Sequence, residues 1–149
     1  MLGLAGVSIP SRITALAALG ALRARRGEAG AAELLDEALE LARGLSNLHR
    51  IGLVRAVRAE AAWLAGDSAA AAEEASAAYD LAVAKRHPWF AGELALWLRG
   101  NGRIVEAASW LGEPFRQQLV GDWQGAAATW AAMRCPYESA RALAEGDVA

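Results

Sequence analysis

The sequence predicts an all-α fold, an α-solenoid of about three helical hairpins, and three observations point to it. Alanine makes up about a quarter of the 149 residues; it is the strongest helix former and small enough to let helices approach closely. The Ala-rich stretches contain few β-branched residues. A glycine followed by an acid recurs between helical runs, at Gly27-Glu28, Gly66-Asp67 and Gly121-Asp122. Each of these pairs reads as a tight turn between two helices. Arrays of this kind bind partners more often than they catalyse.

Taken in order, Ser11 is placed to cap a first helix over residues 11–26, with Ile13, Leu16, Leu19 and Leu22 as its apolar stripe. Gly27 stops it. A second helix is expected over 29–43, burying Leu35, Ala38, Leu39 and Ala42, and Gly44 ends it. A third, over 48–65, carries Val54, Val57, Ala61 and Leu64 on one face and Arg55 and Arg58 on another. The fourth, over 68–85, packs through Ala71, Ala75, Ala78 and Ala82. Pro88 suits the first turn of a fifth helix that ends near Arg99. Residues 100–112 read as an insertion, opened by Gly100-Asn101-Gly102 and holding one short helix over 104–111. Helices over 113–120, 123–134 and 136–144 complete the chain, and a frayed end is expected over 145–149. Gly27 and Gly66 lie 39 residues apart, one hairpin repeat, whereas Gly66 and Gly121 lie 55 apart, a repeat plus the insertion.

Composition narrows the function. An apolar fraction of 55% and a net charge of −2 describe a chain able to bury a core rather than a disordered one. No apolar run approaches the roughly 18–20 residues of a membrane span, and residues 1–10 lack the basic start of a signal peptide. The single Cys135 excludes an internal disulfide and a cysteine metal cluster, and a buried structural thiol is expected there. These features favour the cytoplasm. The acidic pI of about 5.7 argues against direct nucleic-acid binding.

The residues around the turns resemble tetratricopeptide repeats: Gly66, Asp67, Ala71, Ala75 and Ala78 in one unit, and Gly121, Asp122, Ala126, Trp130 and Met133 in the last. Gly27, Glu28, Ala31, Leu35 and Ala38 form a unit one residue shorter. The resemblance implies a right-handed α-α superhelix. A wider likeness runs through Ser11-Arg12-Ile13, the segment Leu22-Arg23-Ala24-Arg25-Arg26-Gly27 and the segment Leu35-Asp36-Glu37-Ala38-Leu39. It continues in His87-Pro88-Trp89-Phe90-Ala91-Gly92-Glu93-Leu94, Gly121-Asp122-Trp123 and Cys135-Pro136-Tyr137-Glu138. In this order they resemble the repeat region of large LuxR-type transcriptional regulators, which join an ATPase, a helical repeat domain and a helix-turn-helix. The resemblance implies signal relay through a protein or peptide partner, an inducer, or the neighbouring domains. The chain has no G-x-x-x-x-G-K-[ST] phosphate cradle and too few residues after Glu145 for a helix-turn-helix, so it is expected to correspond to the repeat segment alone, without a cofactor.

Candidate binding residues follow. Arg55 and Arg58, one turn apart with Glu60 beside them, are suited to grip a peptide carboxylate on a concave face built by the first helix of each hairpin. The six tryptophans, Trp63, Trp89, Trp97, Trp110, Trp123 and Trp130, could line a pocket for a small effector, with Trp89, Phe90 and Trp110 the better candidates because they flank the insertion; the alternative is that the tryptophans fill gaps between Ala-faced helices. His49 and His87 lie too far apart in sequence, without an acidic pair, to suggest a metal site, and His87 reads as a helix-boundary residue bonding a backbone carbonyl. No nucleophile–base pattern marks an enzyme. Apolar ends at residues 1–10 and 136–144 are expected to favour homo-oligomers.

Overall fold

The computed structural model describes residues 6–146, and among them there are eight helices and no strand. They are α1 (Ile9–Arg26), α2 (Ala31–Arg43), α3 (Leu48–Leu64), α4 (Ser68–Ala84), α5 (Pro88–Gly100), α6 (Glu113–Leu119), α7 (Trp123–Ala132) and α8 (Pro136–Gly146). Sequential helices pack against one another, and α1, α3 and α5 also pack side by side.

The turns repeat one geometry. Gly27, Gly66, Gly102 and Gly121 all adopt positive φ, between 66° and 85°. At Gly66 the amides of Gly66 and Asp67 donate back to the carbonyls of Trp63 and Ala62, which satisfies the end of α3. Asp67 then caps α4 by accepting from the Ala70 amide at 2.9 Å, and Asp122 caps α7 in the same way through Gly125. Between hairpins the left-handed position is held by Ser46, Arg86 and Arg134, where a side chain makes this backbone less favourable.

The Ala ladder of α4 is buried as expected, with Ala71, Ala75, Ala78 and Ala82 each at most 1% exposed. Two other stripes are corrected. On α1, Leu19 and Leu22 are exposed, while Ala17 and Gly20 join Ile13 and Leu16 inside. A spacing of three falls short of the 3.6-residue turn, so a stripe repeated four times at that spacing drifts off the buried face. On α3, Leu64 is 40% exposed, and burial includes Gly52, Ala56, Ala59 and Glu60. The reason is that α3 is packed from both sides, by α1 and α2 and by α4 and α5.

Several boundaries move as well. The first helix starts at Ile9 under a Ser8 cap, not a Ser11 cap, because Pro10 is tolerated in the first turn. The second starts at Ala31, since Gly30 is left-handed. The short helix expected over 104–111 does not form. After the Gly102 turn the chain runs non-helically, with Ile104 99% exposed, and Val105, Ala108, Trp110 and Leu111 cover the core of α3, α4 and α5. The Gly112 amide donates to Pro88 O at 3.0 Å, fixing the end of this strap. The expected frayed end is helical to Gly146, and residues 147–149 lie outside the described residues. Cys135 is half-buried rather than buried.

Candidate functional site

The side-by-side packing of α1, α3 and α5 brings ionisable and aromatic side chains onto one face. Arg25, near the end of α1, donates from Nε and Nη2 to the two oxygens of Glu60 on α3, at 2.9 and 3.1 Å. Glu60 is only 3% exposed, so this paired fork is a charge-assisted contact shielded from water. Glu93 and Trp97 follow on α5, four residues apart and therefore on one side of that helix.

Helix α8 faces this row. Arg25 Nη2 lies 3.5 Å from Glu138, and its guanidinium sits 3.8 Å from the centroid of the Tyr137 ring. Arg141, 7% exposed, lies 5.0 Å over the ring of Trp97. Burial and the adjacent Glu60 carboxylate push the Tyr137 phenol up to about 12.

Glu93 is the unusual member. It makes no hydrogen bond or ion pair with the described residues, while the charges of Arg141, Glu60, Glu138 and Arg25 act on it. Burial pushes its carboxyl up to about 7, outweighing the two arginines. It keeps some solvent access, so it lies within a cleft rather than in the dry core. The Trp97 indole N–H is likewise buried without a hydrogen-bond partner. One turn further along the same stripe, Leu96 and Trp97 join Trp63, Arg99 and Glu145 around a cavity of about 380 Å³. Trp63 and Trp97 meet there with ring centroids 5.7 Å apart. Burial also raises the Glu145 carboxyl, which accepts from Gln118 Nε2 at 3.1 Å.

The residues singled out from sequence fall in different places. Arg55 and Arg58 turn away from the α1–α3–α5 face, towards the second helices of the hairpins. Arg55 Nη1 donates to Glu74 at 2.6 Å, Arg58 Nε donates to the same carboxylate at 2.8 Å, and Arg58 also pairs with Asp36. Both guanidinium groups are paired, but Arg55 Nε is buried without a partner among the described residues and Arg58 lines a second cavity of about 510 Å³ with Asp36 and Glu74; Glu60, expected beside them, pairs with Arg25 instead. Trp63 does line the cavity. Trp89 packs elsewhere, against Phe115 and Trp130, and Phe90 lies against His87 and His49. Trp110 packs on the main core under Arg86. The two histidines, distant in sequence, are neighbours with ring centroids 5.3 Å apart. His87 caps α5 by accepting the Phe90 amide on Nδ1, rather than bonding a carbonyl. Among the described residues no group of three His, Cys, Asp or Glu side chains is arranged to hold a metal ion.

Comparison with protein-family models, with curated proteins and with solved structures gives no match.

Proposed function

We propose that this chain is a helical-repeat interaction module that binds a peptide, or a segment of another protein, along the face shared by α1, α3 and α5. In the same reading it is a right-handed tetratricopeptide-like solenoid, a cytoplasmic signal-relay part of a LuxR-type transcriptional regulator. The observation that carries the binding role is the row Arg25, Glu60, Glu93 and Trp97, contributed by the first helices of successive hairpins. Such a row offers an arginine, oriented by Glu60, whose Nη2 also approaches a second carboxylate, an acid for cations and an aromatic anchor, three means by which a groove reads a peptide.

The test is a peptide array probed with the full chain, its hits remeasured in solution. Binding should weaken by about tenfold or more on Arg25→Ala or Trp97→Ala and stay unchanged on Arg116→Ala, since aromatic and arginine anchors dominate interfaces. Hits indifferent to Arg25 and Trp97 would move the function off this face.

A second reading, sensing of a small effector, is favoured by one observation, the cavity of about 380 Å³ between Trp63 and Trp97. It expects a metabolite that raises the melting temperature of the parent chain and not of Trp63→Ala.

A further inference from the structure

The face of α1, α3 and α5 already carries an occupant, the chain's own α8. Tyr137 and Glu138 meet Arg25, and Arg141 covers Trp97. All three lie on one side of α8, with the arginine one turn beyond the aromatic–acid pair.

α8 holds its two neighbours in different ways. Against α7 it packs closely through small apolar groups, with Ala142 fully buried beside Ala126 and Ala127, and Ser139 Oγ donates to Ala127 O at 2.9 Å. Against α1, α3 and α5 it reaches across with long polar side chains. This second contact is incompletely satisfied. Trp97, 6% exposed, has its Nε1 buried with no acceptor among the described residues. Permanent interfaces pair their buried polar groups, because an unpaired one costs its full desolvation. An acceptor for the Trp97 indole is what an incoming ligand could add.

We infer that α8 is a resident ligand of this face, and that the partner that replaces it presents the same elements on one helix, an aromatic residue, an acid beside it and an arginine one turn further on, together with the acceptor for Trp97 Nε1 that α8 lacks. This rests on the peptide-binding reading and specifies its partner. Recognition has two layers. Arg25 takes the acid and stacks on the aromatic ring, and Trp97 takes the arginine. While α8 is seated the face is closed, so binding is conditional on its release.

The probe is a labelled synthetic peptide of residues 134–146, titrated against the full chain. Tyr137→Ala/Arg141→Ala loosens the resident helix without touching α1, α3 or α5, and should bind the peptide about tenfold more tightly than the parent, by removing the closed state. Adding Trp97→Ala to that variant should reverse the gain. Equal affinity for parent and loosened chain overturns the inference. Hydrogen exchange on the unaltered chain gives an independent reading. Amides of α8 should exchange faster than those of α7, and exchange of both helices at one common rate overturns it as well. If array peptides bind at Arg25 and Trp97 but the 134–146 peptide does not, the resident-ligand inference falls while the binding role stands. If only the 134–146 peptide binds, the face accepts its own helix and the wider binding role falls.

Discussion

Glu93 combines a partly buried carboxyl, within reach of the charges of α1, α3 and α8, with no described hydrogen-bond partner. Its pKa is raised from 4.5 to about 7 by burial, against Arg141 and Arg25 and aided by Glu60 and Glu138. Across that window the folded chain retains a proton that the unfolded chain has lost, so this group lowers stability as pH rises and contributes no further change above about 7. Glu93→Gln removes the ionisation. The variant should match the parent below about pH 4.5 and exceed it by up to about 3 kcal/mol above about pH 7, measured by urea denaturation at both ends. A difference that does not depend on pH would mean that folding leaves the Glu93 pKa unshifted. Nothing in the sequence marks this residue. It occupies one position of an apolar helix, and its environment is supplied by residues such as Glu60 and Arg141, remote in the chain.

At the scale of elements, the turns were the legible part. Gly66 and Gly121 could be read as helix stops because only glycine takes a left-handed backbone without cost, and the acid that follows each one caps the next helix. The matching turns at Arg86 and Arg134 share that geometry without the glycine and carry no comparable signal. Gly121→Ala should therefore destabilise by about 1 kcal/mol, whereas Arg134→Gly should be neutral or stabilising by about 0.5–1 kcal/mol, since Arg134 is exposed and at φ 60°. Thermal unfolding of the two variants checks this pair. If both changes destabilise equally, the alternation of glycine and non-glycine turns has no energetic content. The short helix expected over 104–111 gives way to a strap in which Val105, Ala108 and Leu111 face the core without helical backbone. They are apolar contacts of a non-helical chain fixed between Gly102 and Gly112.

For the molecule as a whole, helix content followed from alanine and the turns, but the site did not. Ion pairs such as Arg25–Glu60 join helices whose mutual rotation no periodicity encodes, and the pairing of Arg55 and Arg58 with Glu74 was not legible for the same reason. Their spacing gave a shared face of α3 without saying which neighbour that face meets. Apolar groups also remain uncovered at both ends: Val7, Ile9, Leu19 and Leu22 on one side, Met133 and Leu143 on the other, each 38–50% exposed. Sedimentation should accordingly show self-association that grows with concentration, and a monomer at every concentration would mean that these groups are too dispersed to form an interface.

The central claim is that the face of α1, α3 and α5 is where this chain meets its partner. The unpartnered Trp97 indole N–H reports on it directly. Nuclear magnetic resonance of the tryptophan indole protons, recorded while an array-selected peptide is added to the full chain, is the most direct test. The account predicts that the Trp97 signal shifts first and furthest, as its donor gains an acceptor, while those of Trp89 and Trp110 stay in place. A saturable shift confined to Trp89 or Trp110, with Trp97 unmoved, would contradict it.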